Sequence, residues 1–180
     1  MEAPEVPTEH LHEALEHETK HSGERWVLGV ALSAAIIAAL AAIASLLAGA
    51  NANEAMIDQM QASDQWSYYQ AKGIKSSVLA GRIELLSALG KQSDPADAVK
   101  LAAYKKEQEA IQAEAEEKQA GSRHHLHIHE IMARSVTLLQ VAIAICAVSV
   151  LTKRRRFWYL SLVFAAIGLA FLLQGLAAGR

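Results

Sequence analysis

Residues 26–49 read WVLGVALSAAIIAALAAIASLLAG, and no charged side chain or histidine interrupts them. A helix needs about 20 predominantly apolar residues to cross the hydrocarbon core of a bilayer, so this stretch predicts a first transmembrane span. Two further blocks have the same character. Ser135 to Thr152 is uncharged and can be lengthened by Ile131 and Met132, with Arg134 reaching outward; Phe157 to Gly179 forms the third block. Trp26 opens the first span and Phe157-Trp158-Tyr159 the third, where interfacial aromatic residues belong. The acidic start, Met-Glu-Ala-Pro-Glu, lacks the basic opening and early apolar core of a cleaved leader, so the first block is expected to remain as an anchor.

Composition agrees with a membrane chain. Apolar residues make up 52% of 180 positions, but their clustering in three blocks is more telling than their total. The net charge of −2 gives no broad basic surface for phosphate neutralisation, so no nucleic-acid partner is expected. The one dense basic run, Lys153 to Arg156, separates two apolar blocks and reads as a topology signal. Together with Lys20 and Arg25 it places the N-terminus in the cytoplasm and residues 50–133 on the far side, which is the periplasm if the chain sits in a bacterial inner membrane. Cys146 is the sole cysteine and lies within an apolar block, so it is expected to be a small buried hydrophobe.

Between the first two spans the sequence predicts helix with one punctuation mark. Gly90 suits a helix end, and Ser93-Asp94-Pro95 offers a capping side chain followed by proline at a first helical position. The expected fold is therefore all-α: three transmembrane helices and a long antiparallel, coiled-coil-like helical hairpin between spans 1 and 2. The segments are an N-terminal His/Glu-rich amphipathic helix (1–24), span 1 (25–49), the hairpin (50–133, turn near 90–95), span 2 (134–152), a basic cytoplasmic loop (153–156) and span 3 (157–179). Apolar spacing places Leu101, Tyr104, Gln108, Ile111 and Ala115 on the seam of the return leg, and Ile74, Val78, Gly81 and Leu85 on that of the outgoing leg. So weak a seam, and small residues four apart in span 1 such as Gly29/Ser33 and Ala34/Ala38, predict a homo-oligomer.

The histidines fall into two groups. His125 and His129, one helical turn apart, can share a metal, and a symmetric hairpin would bring Asp58 or Glu54 to them; zinc, nickel or copper is the expected class. The alternative is an interfacial belt contacting headgroups and backbone. His10, His17 and His21 would share a face of an N-terminal helix and form a weaker metal or pH-sensing candidate beside a plain solvated surface. Trp66, Tyr68 and Tyr69 offer an anchor for a protein partner or a filling between subunits. No nucleophile elbow, phosphate loop or HExxH motif occurs, so no enzyme is expected. Two functions remain: a homo-oligomeric structural or scaffolding assembly with a projecting stalk, or an oligomeric cation channel or transporter with a histidine ring at its outer mouth. The spans contain no ionisable pair to continue such a path, only Thr137, Gln140 and Ser149.

Glu9-His10-Leu11-His12-Glu13, the span ending Ala42-Ile43-Ala44-Ser45-Leu46-Leu47-Ala48-Gly49, Asn53-Glu54-Ala55, and the run from Ala62 to Lys72 with Trp66, Tyr68 and Tyr69 resemble a bacterial membrane family, the domain-of-unknown-function family numbered 4337. The resemblance covers most of the chain. It implies a three-span bacterial membrane protein in contact with lipid and transfers no functional residue.

Overall fold

The computed structural model describes residues 25–179. These residues form three helices: α1 (Arg25–Ala88), α2 (Pro95–Thr152) and α3 (Arg155–Ala178). Each carries an uncharged stretch long and apolar enough to cross a membrane, so the chain is an all-α, multi-pass membrane protein whose spans contact lipid.

The expected separate hairpin between spans 1 and 2 is overturned. Among the described residues there is no helix beyond these three, and residues 54–124 belong to the same α1 and α2 that carry the first two spans. Helix propensity explains the continuity. No proline occurs near residues 49–53 or 124–134, and Asn51 and Ser122, which could cap there, donate instead to Leu47 O and Ala55 O, so the helical hydrogen-bond ladder passes from apolar to charged composition without a break.

Local chemistry sets the helix ends. At the end of α1, Gly90 takes the left-handed conformation (φ 69°), its N–H donates to Ser87 O (3.0 Å), and the Lys91 N–H donates to Leu86 O (2.9 Å). This double closure satisfies carbonyls that the helix leaves open. Asp94 Oδ1 then accepts from the Ala96 N–H (2.8 Å), with Pro95 at the first helical position, which starts α2. The same closure ends α2: Lys153 N–H donates to Val150 O (3.1 Å) and Arg154 N–H to Ser149 O (3.2 Å), with Lys153 at φ 53°.

The chain divides into two units, residues 1–53 with 125–180, and residues 54–124. In the first unit, α1 buries Val27, Val30, Ala34, Ile37, Ala41, Ala44 and Ala48, at alternating steps of three and four. They face Ile128, Met132, Leu139, Ile143, Cys146 and Val150 of α2 within one core. The alanines and glycines let backbones come close. Gly29 faces the Trp158 ring, whose Nε1 donates to Ser33 Oγ (3.1 Å); Gly168 and Gly175 of α3 receive the side chains of Leu139 and Met132. The small residues expected to join subunits thus pack within one chain. The expected burial of Cys146 holds, and its thiol contacts Ser161 Oγ (3.2 Å).

In the second unit the facing positions continue by threes and fours: Ala55, Asp58, Ala62, Gln65, Tyr69, Lys72, Ser76, Leu79, Ile83 and Leu86 on α1 are all partly or fully buried. The return face, with Leu101, Tyr104, Gln108, Ile111 and Ala115, is as expected. The outgoing face is not: Ile74, Val78, Gly81 and Leu85 point outward. Polar residues share the seam with small and apolar ones, and Ile74, Val78 and Leu85 carry the apolar spacing on the opposite side of α1.

Candidate functional site

Three clusters carry chemistry-bearing side chains. The first is the foot of α2. His129 Nδ1 lies 2.8 Å from Ala48 O, and a carbonyl can only accept, so this nitrogen carries the proton. His125 Nδ1 lies 3.3 Å from Asn51 Oδ1, and Asn51 itself donates to Leu47 O (2.9 Å). The two histidines therefore tie α2 to α1 through the backbone and an amide.

The transition-metal site expected at these histidines is overturned. Among the described residues no group of three or more His, Cys, Asp and Glu side chains could hold a metal ion. The cause is register. A symmetric fold-back would set Glu54 or Asp58 opposite the histidines, but the partners are Ala48 and Asn51, about two helical turns earlier. In the second unit Asp58 is engaged by Lys118 (3.9 Å), with its carboxylate seated against Gly121, where a Cβ would come within 2.7 Å. Glu54 is exposed. The place of the turn explains the offset: the chain folds back directly at the end of α1, near Gly90, so α2 starts below the tip of α1 and Asp97 already meets Arg82. His10, His17 and His21 lie outside the described residues.

The second cluster is the polar seam. Lys72, mostly shielded, pairs with Glu107, and its ammonium stands 5.4 Å from the Tyr68 ring centre and 5.3 Å from that of Tyr104. The Glu107 hydrogen bond raises the Lys72 pKa above its ordinary value; burial opposes this and Tyr68 adds to it. The Gln108 amide enters the space left by Gly73 and donates to Tyr69 O (3.3 Å). Buried Ser122 donates to Ala55 O (2.8 Å), and Arg82 reaches buried Asp97 at 3.3 Å. The three aromatics singled out in the sequence do not act as one group. Trp66 and Tyr69 meet edge to face (5.5 Å, 76°), whereas Tyr68 stands beside Lys72 and is half exposed.

The third cluster is the α2–α3 turn. Arg154, Arg155 and Arg156 line a concavity of about 530 Å³, and the Arg155 guanidinium lies 5.5 Å from the centre of the Trp26 ring. Trp158 and Tyr159 stack beside it (5.6 Å). Sequence reasoning treated this run as a topology signal only; the signal for more was its position between Trp26 and the Phe157-Trp158-Tyr159 triplet.

Within the spans, hydroxyl protons go to backbone carbonyls, on the same helix or, for Ser135 and Ser149, beyond it. Ser135 donates to Gly168 O (2.7 Å), Thr137 to Ala133 O (2.9 Å), Ser33 to Val30 O (2.8 Å) and Ser149 to Arg154 O (3.2 Å). Such back-bonding satisfies polar groups in lipid and joins helices; these four hydroxyls do not hydrogen-bond one another in a chain.

No curated protein and no solved structure matches the chain. The model of a family described as a domain of unknown function matches residues 26–178, which takes in all three helices, the foot of α2, the seam and the basic turn. By that match the chain belongs to the DUF4337 family.

Proposed function

We propose that the protein is a homo-oligomeric structural or scaffolding element of the membrane, whose second unit lies outside the bilayer and associates with copies of itself. One observation carries this reading. Ile74, Val78 and Leu85 share the outward side of α1 in the second unit and Leu89 continues their line just past its end; they are 65%, 68%, 61% and 63% exposed. The side of α1 facing α2 meanwhile mixes Asp58, Gln65, Lys72 and Ser76 with Ala55, Ala62, Leu79, Ile83 and Leu86. Four such side chains leave an apolar strip on the order of 400 Å² on a segment too charged to lie in lipid, and strips of that size mark interaction surfaces. A second copy is the occupant the strip fits. It supplies about half of the surface that a stable partner contributes, and adjacent spans in the same bilayer would supply the rest. In this reading the N-terminus and the basic turn lie in the cytoplasm and the second unit in the periplasm of a bacterial cell, following the basic residues.

The test is crosslinking in a Cys146→Ser background, which removes the native thiol. Val78→Cys in reconstituted protein is expected to give a doubled band with a short bismaleimide, while Lys106→Cys, on the outer side of α2, stays single. A single-chain mass in nanodiscs together with uncrosslinked Val78→Cys would overturn the proposal.

A further inference from the structure

Among the described residues, the unit that holds the basic turn has almost no carboxylate to balance it; the unit's other seven glutamates fall within residues 2–24, outside the described residues. From Ile131 to Arg180 the chain contains no Asp or Glu, and none occurs between Trp26 and Asn53. The only carboxylate in the described part of the first unit is Glu130, which faces Arg134 at 3.9 Å. Lys153, Arg154, Arg155 and Arg156 are all exposed, and no ion pair joins any of them to a described carboxylate. Four adjacent cations repel one another, so beyond fixing topology the run gains from an anion seated among them.

The geometry narrows the anion. Three guanidinium groups line one concavity, and a guanidinium presents a planar fork that matches phosphate oxygens two at a time. Arg155 is held in place by the face of Trp26. Trp26, Trp158 and Tyr159 mark the level at which headgroups lie, directly at the ends of two apolar spans. The backbone adds a further sign: Lys153 sits in a left-handed conformation (φ 53°) that glycine would occupy without strain. Strain kept at such a turn points to a use for the side chain.

We infer that the Lys153–Arg156 turn is a binding site for the phosphate of an anionic phospholipid headgroup, gripped by the arginine forks while the acyl chains lie along the spans. A lipid phosphate fits better than a free one because the site opens at headgroup depth, where the lipid is already concentrated by the bilayer. Each basic residue contributes about a five-fold gain in affinity for an anionic surface.

The experiment uses the full chain in neutral detergent, with phosphatidylglycerol or phosphatidylcholine added and bound lipid counted by native mass spectrometry. Phosphatidylglycerol is expected to bind at least tenfold more tightly than phosphatidylcholine. Arg154→Gln/Arg155→Gln/Arg156→Gln should abolish that preference, whereas Lys105→Gln/Lys106→Gln should keep it. Lys153→Gly relieves the backbone strain, so it should melt no lower than the wild type yet bind about five-fold more weakly; this separates loss of binding from loss of fold. Arg155→Lys keeps the charge but loses the fork, and should also weaken binding. Equal binding of the two lipids, or unchanged preference in the triple variant, overturns the site. Wild-type affinity in Arg155→Lys overturns the fork geometry, and displacement of phosphatidylglycerol by millimolar inorganic phosphate overturns the lipid as its source.

Discussion

Replacing Gly168 by alanine tests whether the three-helix unit depends on close backbone approach. A Cβ at this position would lie 2.9 Å from Leu139 Cγ, 3.1 Å from Leu139 Cδ2 and 3.3 Å from Leu138 Cβ, all shorter than a relaxed carbon contact. Leu139 is fully buried and cannot swing away. Either it leaves its rotamer or α3 moves outward, and outward movement stretches the Ser135–Gly168 hydrogen bond (2.7 Å). Overpacking of this kind costs about 1–3 kcal/mol, and the better helix propensity of alanine returns at most about 1 kcal/mol. The expected net loss is about 1–2 kcal/mol. Gly29→Ala is the control: its Cβ would sit 3.6 Å from two Trp158 ring carbons, an ordinary contact, and stability should change by less than about 0.5 kcal/mol. Leu139→Ala alone should cost about 2–5 kcal/mol. In the double variant the new methyl enters the space Leu139 vacates, so the combined loss should fall short of the sum by about 1–3 kcal/mol. Equilibrium unfolding in mixed micelles, followed by far-UV circular dichroism, measures all four proteins. Additive losses within about 0.5 kcal/mol, or Gly168→Ala as stable as the wild type, would refute the packing argument.

Two further outcomes follow from the second unit. Because Glu107 raises the Lys72 pKa above 10.5, the stabilisation Lys72 provides is fully present below that value and is lost as pH rises through the raised pKa. The melting-temperature gap between wild type and Lys72→Gln should therefore stay constant from neutral pH to about pH 9 and shrink above the ordinary lysine range; a gap that widens there contradicts the assignment. Asp94→Ala removes the acceptor that starts α2 and should cost about 1 kcal/mol, with Asp94→Asn retaining most of it, as thermal melts will show.

The spans were legible because absence of charge over 18 to 24 apolar residues has few other causes, and the helix ends because glycine, aspartate and proline act locally. The seam and the histidine partners were not. In span 1 the alanines hide their own periodicity, since almost every position is small and apolar. In residues 54–88 apolar spacing marks Ile74, Val78 and Leu85, which turn outward, while Asp58, Gln65, Lys72 and Ser76 turn inward. One count would have found the frame: steps of seven from Val27 reach Ala34, Ala41, Ala48, Ala55, Ala62, Tyr69, Ser76 and Ile83, the inward set. The same frame would have shown that Glu54 cannot face His125. The separate hairpin was an error of another kind. A change of composition is not a change of element, because a helix ends only where its backbone is capped or broken.

A polar seam is a poor source of stability, and its value lies in choosing one register. Seams that repeat every seven residues can slip by seven and restore most of their contacts, unless something forbids it. Here a slip of α2 in one direction would set Asp58 against Ile111 and Lys72 against Lys100; the other would replace Lys118 by His125 at Asp58 and Asp97 by Tyr104 at Arg82. The first leaves Asp58 unpaired and Lys72 beside its like, which costs more than the native pairs gain, even with Lys75 offered to Asp97; the second still offers Glu114 to Lys72, so the glycine spaces must forbid it. Gly73 and Gly121 act in the same sense, since only the native register brings Gln108 and Asp58 to the spaces they leave. Polar pairs and the glycine spaces thus hold α1 to α2 in one alignment, and Ile74, Val78 and Leu85 stand on the outer side of α1 with their spacing fixed, which is what the proposed association with a second copy requires.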